Sequence, residues 1–297
     1  MQAARASSAD PSTGAPLQQA PIPAAAPPQR RADGRFGRAG LATALRRAAR
    51  RGCAPPVVAS PPVKLDDKIA VVTGAGRRVG RAIAEELAAA GATVVLHYHG
   101  SRVEVAQLAS QLERSLVVKA DLRTAAGCRT LLEAVRKHCG RLDLLVNNAA
   151  GYQRGPFAYE TDDTWNQMLA LNLVAPARLI RGALGLGVSS VVNIVDVAAR
   201  VPWKHHAAYA ASKAGLAHLT ACLALELAPA VRVNAVAPGT VAFPDDFSAG
   251  ERAAIVRRIP LERVGQPSDV ARAVRYLFEE EYLTGVILPV DGGAGLA

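Results

Sequence analysis

The sequence predicts a doubly wound α/β fold, a single Rossmann-type parallel sheet with helices on both faces. Three observations carry that prediction. Short β-branched runs alternate with Ala- and Leu-rich runs from Lys64 onward. The β-branched runs are nearly continuous in Val, Ile and Leu, the texture of strands covered on both faces. A glycine cluster, Thr73-Gly-Ala-Gly-Arg-Arg-Val-Gly80, follows the first strand and opens the first helix, at the carboxyl end of a strand, where such folds bind ligands.

Taken in order, Ile69 to Thr73 reads as a strand, Arg78 to Ala90 as a helix and Thr93 to His97 as a strand. Val103 to Arg114 is a helix, Ser115 to Lys119 a strand, Thr124 to His138 a helix and Leu142 to Asn147 a strand. Thr161 to Leu184 reads as one long helix, followed by a strand over Ser189 to Val195 and a helix over Ala207 to Leu227. Val231 to Ala237 and Val286 to Val290 complete the strands, with helices over Ala253 to Arg258 and Ser268 to Phe278 between them. The strands are rich in β-branched residues and the helices in Ala and Leu, each matching its own backbone preference. No internal repeat is visible, so 64–297 reads as one domain.

Residues 1–63 have a different composition. They are rich in Ala, Pro, Arg, Ser and Gln and hold little that could be buried, the mark of a disordered extension. They carry nine Arg and two Asp, a net +7 of the chain's formal +10, leaving +3 on the body. Leu41 to Arg51 can form a short basic amphipathic helix. A plain tail, an Arg-rich transit-like peptide and a contact with nucleic acid or a membrane surface all stay open for this stretch. The near-neutral body argues against a nucleic-acid groove, since it shows no helix-turn-helix, zinc-finger or aromatic-interleaved pattern. No apolar stretch approaches the roughly 18 residues a membrane span needs, and a cytoplasmic enzyme is expected, with an organellar leader left possible. The four cysteines show no C-x-x-C or Cys/His spacing, which points to reduced thiols rather than disulfides or a metal.

The chemistry-bearing residues lie at the predicted strand ends. Tyr209 and Lys213 are four apart and share a helix face. An ammonium beside a phenol favours phenolate and would make Tyr209 a proton donor near neutral pH. Asn193-Ile-Val-Asp196 ends a strand and brings a carboxyl to the same place. Gly74, Arg77, Arg78, Val79 and Gly80 form the turn that lets backbone amides and a helix N-terminus meet a pyrophosphate. NAD-selective domains carry an acid roughly 20 residues after such glycines. Here His97-Tyr98-His99-Gly100-Ser101-Arg102 supplies donors instead, with no carboxylate until Glu104, so NADPH is expected. Asp121, next to Leu122, can accept from an adenine amine. Asn148 and Ala149 can line the cofactor, as can Pro238 and Gly239 in a turn beside the nicotinamide. Asn172 falls inside a helix, where an amide must find partners, and a bridging role is expected for it.

Together these stretches resemble the short-chain dehydrogenases/reductases and, within them, the pteridine reductases, over roughly Lys64 to Ala297. The subgroup resemblance rests on Arg78 at a usual glycine position, Leu96-His-Tyr-His99, Asp196 at the usual serine position and Val290-Asp-Gly-Gly293. It implies hydride transfer from NADPH to a C=N bond of a dihydropterin, dihydrofolate or biopterin-like ring. It further implies Tyr209 as proton donor, Lys213 on the nicotinamide ribose, Asp196 orienting or supplying the proton, and Arg78 and Tyr152 on the substrate. A homotetramer is implied, pairing the long helices and last strands. The sequence departs from the subgroup at Ala150 and Gly100, where a serine and a basic residue are common, and at Tyr152, where phenylalanine is. Val201-Pro-Trp-Lys-His-His206 reads equally as a pocket mouth or a solvated loop, and Phe243-Pro244 as part of a substrate loop. The alternative activity is reduction of a ketone or 3-oxoacyl thioester; a third reading is a dinucleotide-binding protein without catalysis.

Overall fold

In the computed structural model, residues 64–243 and 247–296 are described; the readings made of residues 1–63 fall outside them. Seven strands among the described residues are β1 (Ile69–Val72), β2 (Thr93–Tyr98), β3 (Ser115–Lys119), β4 (Leu144–Asn147), β5 (Ser190–Ile194), β6 (Arg232–Pro238) and β7 (Ile287–Val290). They make one sheet in the order β3-β2-β1-β4-β5-β6-β7, and every neighbouring pair is parallel. The helices are α1 (Arg78–Ala89), α2 (Arg102–Gln111), α3 (Ala125–Cys139), α4 (Asp162–Leu169), α5 (Ala175–Leu184), α6 (Ala207–Leu227), α7 (Ala249–Val256) and α8 (Pro267–Glu279).

Period-2 alternation distributes one set of apolar residues to two cores. Ala70, Val72, Val94, Leu96, Leu144 and Val146 face α1, α2 and α8 through Ile83, Leu87, Leu108 and Phe278. Val71, Val95, Leu145 and Val191 face the other way, onto Leu131 of α3 and Leu179 and Ile180 of α5. That two-sided burial is why the strand runs lack polar alternation. Truncating Leu87 or Leu131, both wholly buried, to alanine is expected to cost about 2–5 kcal/mol. The strand order reverses between β1 and β4, opening a crevice at their carboxyl ends.

The expected single helix over Thr161 to Leu184 is three segments: α4, a π turn over Ala170–Val174 and α5. Pro176 is the cause visible in the sequence, standing at the start of α5. It has no N–H to give the carbonyl four residues back, at Asn172, and its ring crowds that carbonyl. The Ala175 N–H bonds instead to the Ala170 carbonyl, five residues back, and the wider turn carries Asn172. Another departure is the start of α7, at Ala249 rather than Ala253. Ser248 accepts from the Glu251 N–H while the Glu251 carboxylate accepts from the Ser248 N–H, a capping box that fixes the helix start.

Candidate active site

Asp196 lies two residues beyond β5 in extended conformation and divides its carboxylate between two tasks. One oxygen accepts from the Ala198 N–H at 2.7 Å, capping a short turn over Val197–Ala199. The other accepts from the Tyr209 hydroxyl at 2.7 Å. Tyr209 and Lys213 stand one turn apart on α6, and both are buried. The Lys213 ammonium donates to the Ile194 carbonyl at 2.8 Å, at the end of β5, and lies 6.0 Å from the centre of the Tyr209 ring. Strand end, turn and helix thus bring acid, phenol and amine to one point.

Burial sets the electrostatics of this group. It raises the Asp196 pKa above the usual carboxylate range, against the pull of the Ala198 N–H, the Tyr209 hydroxyl and the Lys213 charge. Burial, then the neighbouring carboxylate, push the Tyr209 phenol up. Lys213 is lowered to about 8 by burial, partly opposed by Asp196. The expectation that Lys213 makes the phenol more acidic is therefore reversed in this arrangement. The ammonium is turned to a backbone carbonyl, and the phenol meets a carboxylate. A raised carboxyl holds its proton at higher pH, and the 2.7 Å contact then works in reverse: Asp196 donates to Tyr209, freeing the phenol hydrogen for the cavity.

Asn172 braces the site from the side. Its amide exchanges two hydrogen bonds with Gly151, at 2.8 and 3.0 Å, and donates to the Ser212 hydroxyl at 2.9 Å. Ser212 donates in turn to the Tyr209 carbonyl at 2.6 Å. This ties the loop after β4 to the turn of α6 that carries Tyr209, and π turns occur often at functional sites.

The glycine turn shows whether a dinucleotide fits. Gly74 has φ +66°, the left-handed region that glycine tolerates without strain. A Cβ on Gly80 would lie 2.1 Å from the Gly74 carbonyl oxygen, so the turn closes only around glycine. α1 begins at Arg78, and its N-cap residue Arg77 makes no side-chain cap; the first turn holds no acid, although α3, α4 and α7 are capped by Thr124, Thr161 and Ser248. An uncapped N-terminus presents N–H groups and the positive end of the helix dipole. These features fit a pyrophosphate. Arg78, at φ +48°, lines the cavity with Val79 and Asn148.

Several expected cofactor residues are placed inside the protein instead. His97 is 2 % exposed. Its Nδ1 accepts from the Gly74 N–H at 3.1 Å, and its Nε2 donates to the Ala120 carbonyl at 3.1 Å. Both nitrogens are used, so His97 braces the glycine turn and cannot donate to a 2′-phosphate. Burial lowers its pKa to about 4. The Tyr98 and Leu122 side chains belong to the cores. His99 is exposed, and the Ser101 hydroxyl sits only 2.3 Å from where a Gly76 Cβ would be. Asp121 is paired with Arg123 at 2.7 Å, which holds its carboxyl down at about 2. Arg77 is paired with Glu104. The Asn148 amide donates to the Thr73 carbonyl at 2.8 Å, and the Ala149 N–H to the Thr73 hydroxyl at 2.9 Å. Gly239 donates to the Val290 carbonyl at 3.0 Å and packs on Asp291, where a Cβ would come within 2.8 Å.

Asp196, Tyr209 and Lys213 line a cavity of about 780 Å³, walled also by Tyr152, Trp203, His206, Pro238, Phe243 and Phe247 among others. The mouth reading of Val201 to His206 thus has a place in the structure, while Pro244 lies outside the described residues. No group of three His, Cys, Asp or Glu among the described residues could hold a metal ion.

Residues 74–295 match a family described as Enoyl-(Acyl carrier protein) reductase. A protein named as ketoacyl reductase 2 of the granaticin polyketide synthase, from Streptomyces violaceoruber, is 38% identical over 239 residues, covering 77% of this chain and 96% of that one. The 3beta-hydroxysteroid dehydrogenase 1 of Eggerthella lenta is 35% identical over 78% of this chain and 95% of its own. The 3-oxoacyl-[acyl-carrier-protein] reductase of Vibrio harveyi is 33% identical over 78% of this chain and 98% of its own. The chain belongs to the short-chain dehydrogenase/reductase family. As a short-chain dehydrogenase/reductase it is an oxidoreductase using a nicotinamide cofactor. When bound, that cofactor carries the hydride exchanged with a substrate. Two supports escaped the sequence reading: His97 as a brace, and His206 as the partner of Tyr152. A histidine at a strand or helix end reads the same whether it faces ligand or protein.

Proposed function

We propose that this protein is an NADPH-dependent reductase of a ketone carbonyl, in a cyclic ketone or a 3-oxoacyl thioester. The overall reaction takes a ketone, NADPH and a proton to a secondary alcohol and NADP⁺. The observation that carries it is the Tyr209 hydroxyl held 2.7 Å from Asp196 on the wall of a cavity that Tyr152, Trp203, Phe243 and Phe247 also line, in a chain whose relatives are named for ketoacyl, 3-oxoacyl and hydroxysteroid chemistry. Tyr209 gives its proton to the carbonyl oxygen and is reloaded by Asp196, while Lys213 holds positive charge beneath the ring. NADPH is preferred because the first acid after β2, Glu104, is already paired with Arg77, leaving no carboxylate to claim a ribose 2′-hydroxyl. The cytoplasm and a homotetramer are the setting we propose.

One observation favours a second reading, reduction of a dihydropterin or folate C=N bond. Asp196 is a carboxyl where a serine is usual in the family, and an acid suits protonation of a ring nitrogen. Loss of NADPH absorbance with acetoacetyl thioester, 1-tetralone and dihydrobiopterin, followed side by side, separates the two. Turnover of a ketone or thioester is expected; turnover of dihydrobiopterin alone would move the protein to the second reading. A kcat/KM ratio for NADPH over NADH below one would overturn the cofactor assignment.

A further inference from the structure

The cavity holds a second phenol that the proton path just described does not use. Tyr152 meets Tyr209 edge to face, with ring centres 5.1 Å apart and planes at 74°. Its hydroxyl lies 2.7 Å from His206 Nε2, and His206 Nδ1 lies 2.7 Å from the Lys204 carbonyl. A carbonyl only accepts, so Nδ1 carries a hydrogen. In the neutral ring Nε2 then has a lone pair and no hydrogen, and Tyr152 is the donor. His206 is held in this orientation. It is 8 % exposed, Trp203 packs across it at 5.7 Å, and the Gly155 N–H donates to the His205 carbonyl at 2.9 Å, joining the two loops.

With Asp196 protonated and donating to Tyr209 across their 2.7 Å contact, the two phenols present opposite polarity to a ligand. Tyr209 then has a hydrogen to deliver. Tyr152 has directed its hydrogen into the protein, and a phenol oxygen in that state can only accept; donation to the imidazole also makes it a stronger acceptor. We infer that Tyr152, oriented by His206, selects substrates carrying an O–H or N–H donor beside the bond that is reduced. The inference rests on the cavity being the substrate site of the proposed reductase. Tyr152 touches the substrate, whereas His206 is a positioning residue that sets the polarity of Tyr152.

The test is a cycle between the protein hydroxyl and a substrate hydroxyl. Ketone reduction is measured with 1-tetralone and with its 5-, 6- and 7-hydroxy derivatives. Wild type is expected to favour at least one hydroxy ketone about fivefold or more in kcat/KM, mainly through KM. Tyr152→Phe should bring that ratio to within twofold of one. His206→Leu should shrink it as well, because the Tyr152 hydrogen is released. His206→Gln, whose side-chain carbonyl still accepts that hydrogen, should retain it, a rescue that a merely structural role would not produce. If no ketone is reduced, the reductase reading fails by itself, and calorimetric titration of the NADP⁺-loaded protein with the same four ketones decides the inference. Wild type binding the hydroxy compounds no better than the parent, or Tyr152→Phe keeping their preference, overturns it.

Discussion

Asp196 and His97 are both titratable groups near strand carboxyl ends, and burial drives both toward the uncharged form, raising the acid and lowering the imidazole to about 4. They differ in where their partners lie. His97 joins two backbone groups, the Gly74 N–H and the Ala120 carbonyl, and has nothing left to offer a ligand. Asp196 uses one oxygen on the Ala198 N–H and the other on Tyr209, itself a wall of the cavity. A perturbed pKa therefore marks a reactive group only when its proton has an exit. At His97 the perturbation is structural; at Asp196 it is available for chemistry.

The largest effect that can break this contrast belongs to Asp196→Asn. An amide can still accept from the Ala198 N–H, so the turn survives, but no carboxyl remains to reload the phenol. We expect kcat to fall by roughly 10²-fold, the low end of what general acid catalysis contributes. The pH profile carries the sign. Because the folded-state pKa of Asp196 is raised, the protonated acid persists above the usual carboxylate range. Wild-type kcat/KM should fall as pH rises through that pKa, and this limb should be missing in Asp196→Asn. Identical pH profiles for the two proteins would remove Asp196 from the proton path.

His97 should respond in stability instead. Its pKa is depressed, so between about 6.5 and 4 the unfolded chain binds a proton that the folded chain refuses. Folding stability then decreases as pH falls through that window, by about 3 kcal/mol in full. Protonation at Nδ1 also displaces the Gly74 N–H, so the glycine turn should loosen with it. His97→Gln, which cannot titrate, should show a flatter dependence of urea midpoint on pH between 7 and 4 and a weaker NADPH affinity at neutral pH. An unchanged acid slope would mean that other groups govern acid unfolding.

The same distinction explains what the sequence could reveal. The sheet was legible because two-sided burial demands unbroken Val, Ile and Leu. Tyr209, Lys213 and Asp196 were legible because one-turn spacing and a strand end leave few ways to arrange them. The π turn was not read, although Pro176 was its signal, because a proline near a helix start and one that widens a turn look alike in one dimension. His97 was read as a phosphate donor because its spacing from the glycines suits that role. The Ala120 carbonyl that claims its second nitrogen arrives on a different strand end, from 23 residues away. The Ser248–Glu251 box has a local Ser-x-x-Glu signature, but the apolar run that marks a helix begins only after it.

Helix N-termini give the smallest test of the contrast. In α7 the terminus is satisfied internally by Ser248 and Glu251; in α1 Arg77 leaves it open. Arg77 already has the extended backbone of a cap, φ −143° and ψ 158°, so Arg77→Ser should cap α1 without rearrangement. A serine cap contributes about 1 kcal/mol, and losing the exposed Arg77–Glu104 pair changes little because solvent screens it. Cofactor-free stability should therefore change little, while NADPH affinity weakens severalfold because a hydroxyl now competes with the pyrophosphate for the same N–H groups. Unaltered NADPH affinity, with α1 capped, would place the phosphates somewhere other than this helix end.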